Sequence, residues 1–427
     1  MPWGICTAKL SVNPYYDQVP ANSYIAHYLR YMATQETAHA YDFWCALWSI
    51  ACACGRNTVV ARPRAPVYLN MYLILVGDSG KPRKTTSVNT ALSLVRDLYD
   101  GDNAIGFVDS RVTPEHLDLI IHERSKEHGA GKVIIGVPEL AVFMGSETYT
   151  AGMPPTLTDL YDCPDHRQGG TISRGLSEQR NVWISMLSAS TPIWLLKTVN
   201  PRVIEGGFSS RCMFVVNNDP KQSIPWPDEQ ENGNERALLL DGLHDILARS
   251  REHHSIRIVD TALGKFRTWY EERERSADPY KQSFEAREDA HVLRIAALLC
   301  INDGSWLIHP HHIAFAIKLI ASVKMASGAM FEHGVMRTKY AAAYDVIRTA
   351  LIEAGMDPVP KHVLTRKCRY WLHVSEFQIL TEVMHECHAL QRFLSHEGMR
   401  GRPAEYFRGT DRLLQNGVAE QVLNRFT

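Results

Sequence analysis

The sequence predicts an α/β protein: a parallel sheet with helices before it, then a helical region, then a small domain of helices and one hairpin. Three observations carry this. Short apolar runs alternate with helical patterns between about residues 58 and 216, and strands alternating with helices imply a parallel sheet. One of those runs, Met71–Val76, turns through glycines directly into a helical pattern. Beyond about residue 335 the order becomes three helices followed by two strands.

A chain of 427 residues corresponds to roughly two or three domains. The pattern shifts place them at 1–57 (N-terminal helices), 58–220 (sheet core), 221–334 (helical lid) and 335–427. With 45% hydrophobic and 22% charged residues, the chain has enough apolar side chains for a large core. A net charge of −1 excludes a protein that is basic throughout, so any polyanion site must be a local patch or channel. The nine cysteines are odd in number and contain no C-x-x-C pair, which reads as reduced and cytoplasmic. No apolar run approaches the ~18 residues of a membrane span, so no membrane partner is expected.

Residues 21–54 carry two helical runs with a break near Thr37; the second is apolar almost all round, so Trp48 and Cys52 are expected in the core. Thr58–Val60 starts a strand, and a turn at Arg62-Pro63-Arg64 leads on to Met71–Val76. Then come Gly77-Asp78-Ser79-Gly80-Lys81-Pro82-Arg83-Lys84-Thr85-Thr86 and a helix. A strand turning through glycines into a helix aims backbone N–H groups and the positive helix end at one point, where the phosphates of ATP can sit. Lys84 is expected on the β/γ-phosphates and the Thr85 hydroxyl on Mg²⁺. The spacing departs from the common P-loop: Arg83 stands where a second glycine belongs, and the loop is one residue longer. Lys81 is followed by Pro82 and not by Ser or Thr, so it is not the phosphate lysine. The plainer alternative is a Gly/Ser turn joining a buried strand to a helix.

Ala104–Val108 is the next strand, and Thr113 caps a helix that has Pro114 at its first position. Lys132–Val137 is a third strand, followed by Pro138 and Glu139. Ligands of a parallel sheet gather at the strands' carboxyl ends. There an acidic pair commonly serves a P-loop, one residue on Mg²⁺ and the next orienting water; here Pro138 replaces the first, leaving Glu139 for the water. Glu139 as a plain turn residue is the alternative. Gly169-Gly170 suggests a hairpin with Arg167 and Arg174 flanking its tip, where they would touch a phosphate backbone, or a solvated loop. Val182–Leu187 delivers Ser188, Ser190 and Thr191 to the same sheet edge, and a polar residue there can sense the γ-phosphate. Gly206–Arg211 leads into the strand Cys212–Val216.

Asp219–Asn234 reads as a linker, and helices follow at Glu235–Ser250, Thr261–Ser276, Ser283–Cys300 and His311–Ser327. The last region carries helices Thr338–Ala354, Lys361–Trp371 and Glu376–Ala389, then strands Leu390–Leu394 and Glu405–Arg408. That is winged-helix order, which often places the third helix in a DNA groove and the wing on phosphates, with Arg400 and Arg402 as candidate contacts; many such domains bind protein instead. Neither His309-Pro310-His311-His312 nor His385/Cys387/His388 has metal-ligand spacing.

A family resemblance rests on several motifs in order. They are Trp48–Arg56, Gly77-x-Ser79-Gly80 with Arg83-Lys84-Thr85, Pro138-Glu139-Leu140, Ser188-Ala189-Ser190-Thr191-Pro192 and Gly207-Phe208-x-x-Arg211. The chain resembles the P-loop ATPases of phages and mobile elements, a family of largely unknown function often linked to primases. Ser210-Arg211, with Cys212 in place of Phe, and Ala286-Arg287-x-x-x-His291-x-x-Arg294 are similar to the arginine-finger and second-sensor segments of minichromosome-maintenance helicases. The resemblance covers roughly residues 20–330. It implies a P-loop NTPase core of AAA+/RecA-like type in a ring or filament, a hexamer for preference. ATP and Mg²⁺ would be bound, with Arg211 reaching the neighbour's γ-phosphate and Arg287 acting in cis or in trans. The partner implied is single-stranded or forked DNA, with a primase or other replication protein beside it. The activity implied is that of an ATP-dependent DNA helicase or translocase. An ATP-controlled assembly factor, such as a helicase loader or transposition regulator, would carry the same motifs. A nucleotide-binding scaffold without turnover is the reading suggested by Pro138.

Overall fold

The computed structural model describes residues 15–80, 82–144, 152–171, 175–198, 207–217, 224, 232–276, 279–355, 357–395, 404–415 and 417–426. The chain divides into two compact units, Met1–Gly328 and Ala329–Thr427.

The first unit opens with α1 (Tyr24–Tyr31), whose N-cap Ser23 accepts the Ala26 N–H, and α2 (His39–Cys54), which ends at Gly55. Nearly every residue of α2 is buried, as its all-round apolar pattern requires, and its small Ala, Cys and Ser side chains let it pack against its neighbours. β1 (Val59–Val60) and β2 (Val67–Tyr68) form the Arg62–Arg64 hairpin, β3 (Tyr72–Val76) is fully buried, and α3 (Lys84–Leu98) follows the loop after β3. β4 (Ile105–Val108), α4 (Pro114–His128, capped by Thr113), β5 (Lys132–Val137) and α5 (Leu140–Met144) alternate as expected. Next come α6 (Met153–Leu160), the hairpin β6 (His166–Thr171) and β7 (Gly175–Arg180), β8 (Trp183–Ser190), α7 (Pro192–Thr198), the single turn α8 (Phe208–Arg211) and β9 (Cys212–Val216).

The central sheet has five strands in the order β4-β5-β8-β3-β9, every neighbouring pair parallel. Its register aligns Val76 with Ser190 and with Val216, and Val137 with Ser188. The carboxyl ends of β3, β8 and β5 therefore share one edge, and the strand of Ser190 lies between the strands leading to Gly77 and to Glu139. Two polar contacts fix α2 against this edge. Buried Asp42 accepts from Thr37 (2.8 Å) and from Ser87 of α3 (3.3 Å), and the Tyr41 hydroxyl donates toward the carbonyls of Val76 (2.7 Å) and Asn217 (2.5 Å).

The rest of the unit is α9 (Asn232–Glu252), β10 (Ser255–Ile258), α10 (Asp260–Glu272), α11 (Pro279–Glu285), α12 (Glu288–Asn302), β11 (Leu307–Ile308) and the first part of α13 (Pro310–Glu353). Several expectations need correction. The 283–300 helix is broken at Ala286–Arg287, and Arg287 caps α12 with φ −122° and ψ 3°. β2 and β11, of two residues each, were too short to show a period of two, and β10 was also not expected, yet all three join β1 in a second sheet of order β11-β10-β1-β2. The helices expected at 311–327 and 338–354 are one continuous α13. Its segment Pro310–Phe331 is long and apolar enough by composition to cross a membrane, contrary to the reading of the sequence. Ile313, Ala316, Ile320 and Val323 are buried in the core of the first unit, which accounts for the apolar character of that face. The expected linker at 219–234 lies largely outside the described residues.

The second unit contains the end of α13, β12 (Val359–Pro360), α14 (Lys361–Cys368), α15 (Val374–Glu386), β13 (Leu390–Ser395), β14 (Ala404–Gly409) and α16 (Val418–Leu423). Its sheet is antiparallel, β12-β14-β13, and its core centres on Tyr344, Leu364, Phe377, Leu380, Met384 and Phe407.

Candidate nucleotide site and arginine cluster

A cavity of about 330 Å³ opens at the shared sheet edge, lined by Ser79, Gly80, Arg83, Lys84, Thr85 and Thr86 of the loop, by Pro138 and Glu139, and by Ser190 and Thr191. Gly77 and Asp78 open the loop but are not among the lining residues; Lys81 lies outside the described residues. The loop tolerates no side chain at Gly77, because a Cβ there would stand 2.3 Å from the Asn217 carbonyl and 2.6 Å from the Tyr41 hydroxyl. The residue that departs from the common P-loop is also explained. Arg83 is left-handed (φ +43°), a conformation glycine favours, and its guanidinium is held by Glu36 at 3.0 and 2.8 Å.

Lys84, the first residue of α3, folds its amine back across the loop to the Gly77 and Asp78 carbonyls, both at 2.7 Å. Partial burial lowers its pKa, opposed by the charges of Asp78 and Glu139, which places the Glu139 carboxylate within electrostatic reach of the amine. The Ser190 carbonyl accepts the Gly77 N–H (3.3 Å) and its hydroxyl reaches the Thr191 carbonyl (3.3 Å). The free N-terminus of α3, a lysine and hydroxyls in one cavity suit a polyphosphate. The oxygen donors Thr85, Thr86 and Glu139 suit Mg²⁺, which keeps several of its waters and needs few protein ligands.

Arg211 and Arg287 line a different cavity, of about 570 Å³, with Arg62, Gly207, Ser210 and Asp289. One carboxylate joins the two arginines: Asp162 takes Arg287 in a fork (2.7 and 2.9 Å) and Arg211 Nη2 at 3.3 Å. Burial would raise the Asp162 carboxyl, but the hydrogen bonds and charge of Arg287, with Arg211, outweigh it and hold it below the usual range. Arg211 also donates to the Gly207 carbonyl (2.9 Å), and its guanidinium, with those of Arg287 and Arg294, lies over the buried Tyr161 ring at 5.9, 5.7 and 5.0 Å. Behind them His291 Nε2 donates to the Ser210 carbonyl (2.8 Å), its Nδ1 faces Arg294 (3.2 Å), and Arg294 donates to the Tyr68 carbonyl (2.9 Å). Burial, reinforced by the charge of Arg294, pulls His291 down to about 3, so the ring is neutral. Asp162 and Tyr161 were not singled out in the sequence, since nothing local marks a carboxylate that meets its arginines 49 and 125 residues away.

The remaining candidates separate. The hairpin exists, but Gly169 and Gly170 pair with Ser177 and Leu176 inside its strands. Arg174 lies outside the described residues, as do Arg400 and Arg402. Arg167 sits near the hairpin's open end, bound to Asp159 (2.5 Å), Asp118 (2.6 Å) and Gln179 (2.8 Å); its guanidinium clamps the hairpin to α4 and α6. Asp303, His311 and His312 cluster, but His312 Nδ1 accepts the His309 N–H (3.0 Å), so its Nε2 carries the proton directed to Asp303 (2.9 Å) and offers a metal no lone pair.

No family model matches the chain, and no curated protein matches it. Among solved structures it is similar to a full-length MCM homolog from Methanopyrus kandleri, at 14% identity and a TM-score of 0.42, over 71% of this chain. The match spans 59% of that homolog's length.

Proposed function

We propose that the chain is an ATP-hydrolysing DNA motor, a helicase or translocase of a phage or mobile element, whose active site is completed by a second copy. The observation that carries this is the separation of the two half-sites: Lys84, Thr85, Glu139 and Ser190 line one cavity, while Arg211 and Arg287 line another, tied to a common carboxylate. In this reading Lys84 and the N–H groups of α3 bind the phosphates. The Thr85 hydroxyl holds Mg²⁺, which when bound neutralises phosphate charge. Glu139 orients the attacking water across the sheet edge, and Ser190 senses the γ-phosphate. Arg211 and Arg287 both act in trans, Arg287 because it shares Asp162 with Arg211. Their charge stabilises the transferring phosphoryl group only when two copies close on each other, which couples turnover to subunit movement.

The hairpin of β6 and β7 would face the DNA, residues 221–334 would form a lid, and 335–427 a winged-helix-like domain. A homo-oligomer, a hexamer for preference, working beside a primase or other replication protein completes the picture. Pro138 favours a second reading, a nucleotide-binding scaffold without turnover, because the metal-side carboxylate is replaced. ATP hydrolysis by the purified chain with and without single-stranded DNA separates the two. DNA-stimulated turnover lost in Glu139→Gln is expected; nucleotide binding with no turnover under either condition would establish the scaffold.

A further inference from the structure

We propose that the turn joining α14 and α15, residues 369–373, is a binding surface for single-stranded DNA, with Tyr370 and Trp371 stacking on bases and Arg366 and Arg369 on phosphates. Tyr370 is 78% exposed and Trp371 40%, with their rings edge-to-face at 4.9 Å. Large aromatic side chains left in water are informative where ordinary surface polarity is not. They are not loose: the turn that presents them is anchored on both sides. Cys368 and Leu372 are buried, the N–H groups of Trp371 and Leu372 both donate to the Cys368 carbonyl (2.8 and 3.0 Å), and His373 and Glu376 form a reciprocal capping box. Glu376 also takes the Lys339 amine (2.5 Å), which fixes the cap to α13.

Charge selects the partner. Residues 358–375 contain Lys361, Arg366, Lys367 and Arg369 and no Asp or Glu, in a chain whose net charge is −1. Lys361 is paired with Glu405 (2.8 Å) and Lys367 lies near Glu353 (3.6 Å). Arg366 and Arg369 are exposed and have no ion-pair partner among the described residues. By contrast α15, the third helix and the one expected in a DNA groove, carries Glu376, Glu382 and Glu386 and no Lys or Arg. Such a helix repels a duplex backbone, so cationic and aromatic groups coincide at the turn before it and not along its face. Exposed rings beside unpaired guanidinium groups fit a strand whose bases are free to stack. The choice of DNA over RNA rests on the motor reading above; the surface itself does not.

The test uses the full chain without ATP, so that failure of the ATPase reading leaves it interpretable, and follows anisotropy of fluorescein-labelled oligo(dT). Tyr370→Ala with Trp371→Ala is expected to weaken binding at least about 5-fold, the equivalent of one lost stacking contact. Tyr370→Phe with Trp371→Phe is expected to retain binding and shows that the turn still folds. Arg366→Gln with Arg369→Gln is expected to flatten the slope of log affinity against log salt by about 1.4, or about 0.7 per lost phosphate contact. Unchanged affinity and slope in both variants would overturn the proposal. Tighter binding of oligo(rU) would overturn the assignment to DNA. A change in sedimentation of the alanine variant with unchanged oligo(dT) binding would overturn it in favour of a second copy as the occupant.

Discussion

The nucleotide cavity and the arginine cluster are built by different means. The cavity is made by backbone: parallel strands in register, a loop that leaves no room for a Cβ at Gly77, and a helix start at Lys84. The cluster is made by side chains from three separate stretches, with Asp162 holding Arg211 and Arg287 over the Tyr161 ring. A cavity edged by a helix N-terminus, a lysine and hydroxyls suits a phosphate-bearing ligand. In the cluster the guanidinium groups of Arg211 and Arg287 share one carboxylate, Asp162.

The largest expected effect sharpens that contrast. Arg211→Ala should lower kcat by about 10³-fold, the scale of a removed arginine finger, with nucleotide affinity nearly unchanged. Lys84→Ala should weaken nucleotide binding itself, read by titration with a fluorescent ATP analogue. Equal loss of binding in both variants would erase the distinction between the half-sites. Next in size, Gly77→Ala should destabilise the first unit by about 1–3 kcal/mol through overpacking, seen as a lower urea midpoint. The carbonyl it meets belongs to the backbone and cannot swing away.

The smallest effect probes the cluster. The His291 pKa in the fold, about 3, lies below its unfolded value near 6.5, so the unfolded chain binds the extra proton between these limits. Stability is therefore fully present above pH 6.5 and falls with acid, by at most about 1.4 kcal/mol per pH unit from this group. His291→Gln should flatten the thermal-stability profile between pH 5 and 6.5, and an unaltered profile would contradict the neutral ring.

What the sequence revealed follows the range of the interactions. Strands of four or more residues in the central sheet, the Thr113 cap and the helix start after Arg83 were legible because strand burial, capping and helix starts are local. Two-residue strands such as β2, β11 and β12 were not, since pairing with distant partners alone defines them. The break before Arg287 was hidden by helix-forming residues on both sides, and the continuity of α13 by Gly328 and Gly334, which read as helix ends although the helix runs through both. Arg211 and Arg287 were reached through resemblance, whereas Asp162, which joins them, has no signal in its own neighbourhood. The hairpin was found, but its turn was misplaced because two adjacent glycines read as a turn even where they sit paired inside a strand.

The central claim is that each active site takes Lys84 from one copy and Arg211 from the next. The most direct test mixes two inactive variants, Lys84→Ala and Arg211→Ala, and measures DNA-stimulated ATP hydrolysis. At interfaces where the Arg211→Ala copy supplies the phosphate loop and the Lys84→Ala copy supplies the arginine, one intact site forms, and turnover is expected to reappear and to depend on the mixing ratio. If the mixture stays as inactive as either variant alone, while the two variants still co-assemble, the shared site is contradicted.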